Sequence, residues 1–416
     1  ILEFGTEEQK KKYVPKMMSG EWSGTMCLTE PHAGSDVGSA SSGATRNDDG
    51  TYIVQGTKIF ISGGDSDLAE NVIHLVLARI EGAEAGTKGL SLFIVPRVRI
   101  DEDGSLGALN DVTVPSIEHK MGINGSATCV MNFGDDGNCL GEVVGGVEHQ
   151  GIRQMFHLMN AARIGVGIQG LAVAAASYLS ALEYGRVRKQ GSSIKKFKDA
   201  NAPRVPILEH PNIRRDLLAM KARVEGVRAL VMKLSNHTDR LKATQGKDDE
   251  SEAYHKGQID LLTPLVKAYG TDAAFEVSSR AIQVHGGHGY LRDYPVEQYC
   301  RDSKIFQIYE GTNFIQSMDL VSRKLGQAGG ANTQAFLTDV QKFIMDNKET
   351  PELAGAIKHL QAAHEAVAAS VTQFIGWFKG GKLEHIPLAA EEFLTIMSDL
   401  AVGWLLLDQA SIAVKK

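Results

Sequence analysis

The sequence predicts an α+β multidomain protein, in which a central antiparallel β domain is followed by an antiparallel α-helical bundle and an additional C-terminal helical segment. Three patterns along the 416 residues predict this fold class. Short apolar runs fill residues 24–150, apolar residues at helical spacing follow over residues 151–325, and a further amphipathic pattern covers residues 326–416. We interpret residues 1–23 as the end of a missing N-terminal helical domain.

The amino-acid composition argues against several classes of protein. The formal net charge of −6 and the lack of a basic stripe argue against a nucleic-acid-binding surface. The four cysteines form no CxxC pair, which argues against a structural zinc site and favours a reducing compartment, either the bacterial cytoplasm or the mitochondrial matrix. No run looks apolar enough to span a bilayer. The chain begins at Ile1 rather than Met, and we interpret it as a fragment whose natural start is missing, so the sequence excludes no targeting signal.

The β domain is predicted from its turns and its short apolar runs. A hairpin-turn signal, Asn-Asp-Asp-Gly at residues 47–50, precedes an apolar triplet at residues 52–54. Residues 72–78 and 90–96 are apolar runs bounded by glycine and charge, and residues 128–133 alternate weakly before a Gly-Asp-Asp-Gly turn. Short strands at this spacing are typical of a compact antiparallel sandwich or barrel.

Long helices are predicted after Gly151, where apolar residues recur at helical spacing. Gly165, Gly167 and Gly170 leave little side-chain bulk on the first helix, so a neighbouring helix is expected to approach it closely. The polar residues 191–206 and 240–258 are predicted as loops. The spaced apolar positions are Ile164, Ile168, Leu171, Ala175, Tyr178 and Leu182 in the first helix and Ile213, Leu217, Met220, Val224, Val227 and Val231 in the second.

Glu310 is the strongest candidate for a catalytic residue. It stands between Tyr309 and Gly311, after a stretch in which Pro295 suits the first turn of a helix and Gly311 suits a helix break. A carboxylate held rigidly in a mostly apolar setting can act as a general base. The alternative is a solvated glutamate at a helix end, the usual place for an isolated glutamate.

Two glycine-containing segments are candidate binding loops. Residues 26–36 carry hydroxyls and Gly34, and could present backbone N–H groups to an anion or a flat polar ring; the alternative is a plain loop between strands. Residues 283–290 contain His285 and His288, but no third metal ligand has an obvious place. A tight turn that brings backbone to a phosphate is the preferred function there, and an ordinary interhelical turn is the alternative.

A cluster of cations, Arg186, Arg188 and Lys189, ends the first long helix. Cations are favoured at a helix C-terminus by the helix dipole, which is the simpler account. Pairing with a diphosphate, for which guanidinium geometry is suited, is the functional account.

Three motifs in order, residues 28–36, 283–290 and 308–313, closely resemble those of the acyl-CoA dehydrogenase family. The resemblance extends over residues 1 to about 325 and implies a β domain followed by a four-helix C-terminal bundle. Residues 98–131 and the extra C-terminal helices are similar to the large-subunit branch, which includes 3-methylmercaptopropionyl-CoA dehydrogenases.

The resemblance implies FAD as cofactor. Leu28 and Thr29 match contacts of the flavin ring, and Gly34 and Ser35 match positions near the diphosphate and the thioester. Phe60 and Ser62 match positions beside the isoalloxazine, where the family often has Trp and Thr. Three further matches, Arg188, Gln283 and Gly287, reach the FAD of a neighbouring subunit, and Thr312 matches a diphosphate contact. Two family features are absent: Phe314 replaces a common polar residue, and no Phe precedes Gly191.

The implied reaction is α,β-desaturation of an acyl-CoA thioester to the trans-2-enoyl-CoA. Glu310 is implied as the base that takes the α proton, and flavin N5 accepts the β hydride. The implied substrate-binding residues are Ser35, Arg163, Tyr309 and Gly311. An electron-transfer flavoprotein as electron acceptor and a homodimer are further expectations. The alternatives are an acyl-CoA oxidase and a non-catalytic flavin- or acyl-CoA-binding subunit.

Overall fold

A computed structural model describes residues 1–415, which form two compact units, residues 1–159 and residues from 160 onward. The first unit contains one helix and ten strands before the long helix α2 begins at Gly151. The helix is α1 (Glu7–Ser19), and the strands are β1 (Trp22–Cys27), β2 (Gly43–Arg46), β3 (Tyr52–Ser62), β4 (Asn71–Ile80), β5 (Leu90–Pro96), β6 (Val98–Ile100), β7 (Leu106–Leu109), β8 (Val112–Ile117), β9 (Thr128–Phe133) and β10 (Leu140–Val143).

The main sheet has the order β1-β4-β5-β10-β3-β9-β8, with β2 paired to both β3 and β4, while β6 and β7 form a separate hairpin. Most pairs are antiparallel, as predicted, but β1 and β2 each pair with β4 in parallel. The predicted hairpin turn joins β2 to β3, with Gly50 at φ 84°. Residues 1–23 pack in the same unit as the sheet, where Tyr13 and Trp22 are both buried.

The second unit is helical apart from one short hairpin. Its core is continuous from the bundle into the appended helices, because Leu230 and Leu265 belong to the same buried cluster as Phe336 and Trp404. The predicted fold class is therefore confirmed. Helix α2 (Gly151–Val187) begins in the first unit and continues into the second. The elements after it are β11 (Lys189–Ser192), β12 (Arg204–Pro206), α3 (Pro211–Thr244), α4 (Asp249–His285), α5 (Val296–Ser303), α6 (Asn313–Asp319), α7 (Ala331–Asn347), α8 (Ala354–Lys379) and α9 (His385–Val414).

The loop predicted over residues 240–258 is wrong, because only residues 245–248 separate α3 from α4. The Asp248 side chain caps α4 by accepting a hydrogen bond from the Ser251 N–H at 3.0 Å. Acidic residues follow in the first turn of α4, where the helix dipole favours them. The charged residues 247–250, within the predicted loop, thus include the start of a helix. Residues 191–206 likewise contain β11 and β12 rather than loop alone.

Helix α2 corrects the expectation about membrane spans, because its length and composition would allow it to cross a bilayer. The core helix of a globular protein passes the same test, so a single such helix is weak evidence for a span. Ile168, one of the apolar residues at helical spacing in α2, is 44% exposed.

Candidate active site

Glu310 lies in a short loop between a 3₁₀ turn at Lys304–Gln307 and helix α6. Its φ is 54° and that of Gly311 is 81°, so two successive residues occupy the left-handed region. A non-glycine residue held there is strained, and such residues cluster at functional sites. The buried Gln316 amide donates to the Gly311 carbonyl at 3.2 Å, and the Thr312 hydroxyl accepts from the Ile315 N–H at 3.2 Å. These two bonds hold the strained loop.

The Glu310 carboxylate is incompletely satisfied. Its Oε2 is buried and has no hydrogen-bond partner among the described residues. Burial raises the pKa of Glu310, against the lowering effect of the nearby Arg163 and Lys267 cations. A buried acceptor without a partner is costly to the fold. A carboxylate kept in this state, with a raised pKa, has the properties of a general base.

Two buried cations face this carboxylate from neighbouring helices. Arg163 of α2 is 2% exposed, and its Nη1 lies 3.3 Å from Asp319 Oδ2. Lys267 of α4 is fully buried, and its Nζ donates to Asn313 Oδ1 at 2.9 Å. Burial lowers the pKa of Lys267 to about 7. Sequence reasoning missed Lys267, although a lysine inside the apolar run Leu-Leu-Thr-Pro-Leu-Val-Lys-Ala was a signal.

Close packing of α2 on α4 brings these two cations together. A Cβ on Gly167 would stand 2.7 Å from the Val266 carbonyl oxygen, and one on Gly170 would stand 2.5 Å from the Gly270 carbonyl oxygen. The predicted close approach is confirmed at these two glycines. Gly165 is different, because nothing lies within 4 Å of an added Cβ there.

Tyr309 and Gly311 belong to the same cluster as Arg163. The Tyr309 hydroxyl donates to Gln169 Oε1 at 2.5 Å. Burial first, and the Glu310 charge second, raise the pKa of Tyr309 to about 12, so this phenol is neutral near pH 7. A Cβ on Gly311 would lie 3.5 Å from the Arg163 guanidinium. The structure therefore brings together the predicted base and three of the four predicted substrate-binding residues.

A cleft of about 510 Å³ contains three of the predicted cofactor-binding residues, Arg188, Gln283 and Gly287. Its wall includes Tyr184 and His285, whose rings stack with centroids 4.3 Å apart. Guanidinium, amide and aromatic groups in one cleft suit a ligand that carries both phosphate and a flat ring. Arg188 is exposed and donates to Gln190 Oε1 at 3.2 Å.

The two histidines of the 283–290 turn are engaged in hydrogen bonds. His285 Nδ1 is 2.8 Å from the Ala281 carbonyl oxygen, and His288 Nδ1 is 2.7 Å from the Tyr184 hydroxyl. Within residues 1–415 no group of three or more metal-ligating side chains occurs.

In the first unit, the predicted flavin-contacting residues Leu28 and Thr29 adjoin β3. The Ile59 N–H donates to the Thr29 carbonyl at 2.9 Å, and the Lys58 ammonium donates to the Leu28 carbonyl at 3.1 Å. Between Lys58 and Ile61 the β3–β9 register shifts, which marks a bulge. Bulges re-aim side chains beside active sites.

Phe60 is the residue displayed by this bulge. Its φ is 62°, and its side chain is 60% exposed. A strained, solvent-facing phenylalanine is unexpected unless another surface covers its ring. Ser62, at the end of β3, is also exposed.

Gly34 and Ser35 are exposed in the loop after β1. The loop begins with a tight turn, in which the backbone groups of Glu30 and Ala33 exchange two hydrogen bonds of 3.0 and 3.1 Å. A Cβ on Gly34 would touch Thr29 Cγ2 at 3.9 Å. Six predicted residues thus lie in two adjoining segments of the first unit.

Family models match most of this chain. Residues 25–135 match the model for the acyl-CoA dehydrogenase middle domain, and residues 149–325 match that for the acyl-CoA dehydrogenase C-terminal domain. The chain belongs to the acyl-CoA dehydrogenase family. Residues 336–416 match a third model, described as acetyl-CoA dehydrogenase C-terminal like. The predicted family membership and the prediction of an oxidoreductase are confirmed.

Curated relatives include three acyl-CoA dehydrogenases. The chain is 40% identical to butyryl-CoA dehydrogenase of Syntrophomonas wolfei, over 100% of the chain and 68% of the relative. It is also 40% identical to the broad-specificity linear acyl-CoA dehydrogenase of Mycobacterium tuberculosis, over 100% of the chain and 69% of that relative. The identity to 3-methylmercaptopropionyl-CoA dehydrogenase of Ruegeria pomeroyi is 39%, over 96% of the chain and 66% of that relative. The chain spans about two thirds of the length of these relatives.

Two solved structures are similar to the chain. An acyl-CoA dehydrogenase complexed with FAD from Bacillus anthracis has 27% identity and a TM-score of 0.74, covering 98% of this chain and 66% of its own. The electron transferring flavoprotein structure of Acidaminococcus fermentans contains a chain with 29% identity and a TM-score of 0.62, covering 79% of this chain and 74% of its own. Acyl-CoA dehydrogenases are FAD-dependent, which confirms the predicted cofactor for the family.

Each unit, taken by itself, contains residues whose chemistry fits this cofactor. An exposed, strained Phe60 beside a glycine-containing loop suits the face of a flat ring. The cleft lined by Arg188 and Gly287 combines a guanidinium with close backbone access, as a diphosphate requires. Glu310 supplies an unpartnered carboxylate oxygen.

Proposed function

We propose that this chain is the catalytic part of an FAD-dependent acyl-CoA dehydrogenase, which converts an acyl-CoA thioester to its trans-2-enoyl-CoA. The observation that carries the proposal is the buried Glu310 Oε2, which has no hydrogen-bond partner among residues 1–415. An unsatisfied buried acceptor at a strained position is typical of a group that a ligand or a reaction uses.

Glu310 is assigned as the base that takes the α proton of the thioester. Its raised pKa makes the carboxylate more basic than an exposed glutamate, while Arg163 and Lys267 keep enough ionised form near neutral pH. The Glu310 backbone N–H is assigned as a donor to the thioester oxygen, where charge develops as the proton leaves. FAD, when bound, supplies the acceptor for the β hydride.

The other residues of the cluster hold the substrate. Arg163 and Tyr309 are assigned to the acyl-CoA side of the site, together with Gly311, whose missing side chain leaves backbone accessible. Ser35 is assigned to the thioester as well as to the cofactor. The proposed FAD-binding residues are Leu28, Thr29, Gly34, Ser35, Phe60, Ser62, Arg188, Gln283, Gly287 and Thr312.

A short, unbranched acyl chain is the proposed substrate class. Two of the relatives act on butyryl-CoA and on 3-methylmercaptopropionyl-CoA, by their names. Both acyl groups are short and linear, since a thioether sulfur replaces a methylene with little change of shape. 3-Methylmercaptopropionyl-CoA is therefore one candidate substrate within this class.

An electron-transfer flavoprotein is proposed as the electron acceptor, and a homodimer as the assembly. Support for the acceptor comes from the similarity to a chain in an electron transferring flavoprotein structure. Support for the dimer comes from Arg188, Gln283 and Gly287, which match residues that reach a neighbouring subunit's FAD. Rapid peroxide formation in air without an added acceptor would instead indicate an acyl-CoA oxidase.

Anaerobic titration with acyl-CoA thioesters tests the proposed function. We expect the wild-type chain with bound FAD to lose flavin absorbance with a short linear acyl-CoA. Glu310→Gln should bind FAD but reduce it more slowly by about 10²–10⁴-fold, the usual contribution of a general base. Glu352→Gln, at an exposed position, is the matched control and should behave as wild type.

Normal bleaching by Glu310→Gln would exclude Glu310 as the base. A wild-type chain that binds FAD but reduces it with no thioester would support the alternative of a non-catalytic binding subunit.

A further inference from the structure

Lys58 is a fully buried lysine inside the first unit. Its ammonium donates three hydrogen bonds, to the Leu28 carbonyl at 3.1 Å, the Leu77 carbonyl at 2.7 Å and Glu30 Oε1 at 2.8 Å. These bonds use all three ammonium donors. The side chain therefore joins the end of β1, the middle of β4 and the loop that follows β1.

Glu30 is the acidic partner and is 2% exposed. Its Oε2 accepts from the Ser41 N–H at 2.7 Å and the Ser41 hydroxyl at 2.9 Å, and its Oε1 also accepts from the Ser42 N–H at 3.0 Å. One carboxylate thus ties position 30 to positions 41 and 42. Residues 31–40, which include Gly34 and Ser35, form a loop closed at its base by this carboxylate.

The surroundings of the pair favour an ionised Glu30, while burial lowers the pKa of Lys58 against the raising effect of Glu30. Burial alone would raise the pKa of Glu30, but hydrogen bonds from Lys58, Ser42 and Ser41 outweigh it and hold this pKa at about 2. Buried ion pairs add little net stability, because desolvation of both charges offsets their attraction. An apolar pair of similar volume would fill the same space but would leave the Leu28 and Leu77 carbonyls and the Ser42 N–H without these partners.

What the pair does control is the position of backbone. Lys58 holds the Leu28 carbonyl directly, and its own backbone leads into the bulge that displays Phe60 two residues later. The same ammonium holds Glu30, which closes the Gly34–Ser35 loop. A single buried charge therefore connects the two segments that carry all six predicted flavin-side residues of this unit.

We infer that Lys58 and Glu30 form a positioning clamp, which fixes the geometry of residues 28–42 and of the Phe60 bulge so that they can receive the flavin. Neither residue is catalytic; both act through the backbone that they hold. The identity of the ligand as FAD rests on the proposed function, whereas the clamp itself is a property of the chain without any ligand.

The test is the double variant Lys58→Met/Glu30→Leu, which replaces the buried pair by apolar side chains. We expect it to fold but to unfold at a lower temperature than wild type, because the backbone groups that bonded to the pair lose their partners. In the FAD-free chain, amide hydrogen exchange of residues 28–42 should accelerate by at least about tenfold, because this segment loses its hydrogen bonds to charged groups. FAD affinity should weaken by a similar factor, while exchange in β5 stays unchanged.

A matched control is Lys324→Met/Asp260→Leu, which removes an ion pair of 2.8 Å from the second unit. It should leave exchange in residues 28–42 and FAD affinity as in wild type. Ser41→Ala, which removes only one hydroxyl donor at an exposed position, serves if the double variant does not fold. It should accelerate exchange in residues 31–42 by roughly a few-fold, because one hydroxyl donor to the Glu30 carboxylate is lost.

Unchanged exchange of residues 28–42 in the double variant or, should that variant not fold, in Ser41→Ala would overturn the clamp. So would faster exchange with unaltered FAD affinity, since the segments would then need no fixed geometry to hold the cofactor. A wild-type chain that does not bind FAD would contradict the proposed function instead, and the exchange measurement would still decide whether the clamp exists.

Discussion

Glu310 combines several features that each lower the stability of the folded chain. Its backbone is left-handed, its carboxylate is buried, and one carboxylate oxygen has no partner among the described residues. Each of these features opposes stability by an amount on the order of 1–3 kcal/mol. Their coincidence at one residue separates Glu310 from glutamates such as Glu297, which pairs with Arg301 in the ordinary way.

The pH dependence of flavin reduction follows from the charges around Glu310. A base must be ionised, so the rate falls as pH drops through its raised pKa. Lys267 is a cation that lowers the pKa of Glu310. We expect Lys267→Met to move this acidic limb to higher pH in single-turnover measurements, because the carboxylate loses a charge that favours its ionised form. Lys256→Met, at an exposed position, should not move it, and a limb shifted to lower pH by Lys267→Met would contradict the assignment.

At the scale of elements, helices α2 and α4 place Arg163 and Lys267 beside the Glu310 loop. They can do so because Gly167 and Gly170 of α2 lie directly against the backbone of α4. Helices normally pack with their axes 8–10 Å apart, depending on the side chains at the contact, and glycines permit the closest approach. The candidate site therefore depends on residues that never touch a substrate.

A substitution at this contact should both destabilise the bundle and disturb the site. Gly170→Val places atoms against the Gly270 backbone, which can yield only if the helices separate. We expect a loss of about 1–3 kcal/mol in the free energy of unfolding, as for overpacked cores. The control is Gly165→Ala in the same helix, which has open space and should gain up to about 1 kcal/mol from better helix propensity. Equal effects of the two substitutions in urea unfolding would contradict this packing.

At the scale of the whole molecule, the bundle and the appended helices are joined by polar contacts as well as by a shared core. His237 of α3 and His255 of α4 are buried, with their Nδ1 atoms 2.9 Å apart. The neighbouring Tyr254 donates to Asp339 of α7 at 2.6 Å. Only one of the two histidine nitrogens can carry a proton in this geometry, so protonation of both rings breaks the contact.

Acid should therefore weaken the second unit. Burial, and then the charge of Lys233, lower the pKa of His237 from 6.5 to about 4. Because the unfolded chain binds a proton more tightly in this window, stability is complete above the unfolded pKa and is lost as pH falls through it towards 4. From about pH 7.5 to about pH 5 this residue should cost about 2 kcal/mol of unfolding free energy.

The measurement is urea unfolding of wild type and His237→Gln at the two pH values. The variant should show a smaller loss of stability on acidification. His385→Gln, at an exposed position, should keep the wild-type dependence. An acid sensitivity that is identical in wild type and His237→Gln would exclude this histidine as its source.

The local chemistry of the candidate site was readable from the chain. Glu310 between Tyr309 and Gly311, the loop with Gly34, and the glycine turn after Gln283 are contiguous motifs, and contiguous residues keep their order in any fold. Helical periodicity and turn signals likewise reported the order of the β domain and the helices, because each depends on neighbours within a few positions. The start of α4 was missed because its capping residue lies in a charge run that resembles a loop.

By itself, the sequence determined the fold class, the family and the candidate base. Only the tertiary structure decided which distant groups surround these residues. Lys58 and Lys267 are both fully buried, and their hydrogen-bond partners at the candidate site lie far away in sequence. The bulge at Phe60 depends on the register of β3 against β9, which no run of residues specifies alone. Burial and register are properties of packed surfaces, so they exist only when the chain has folded.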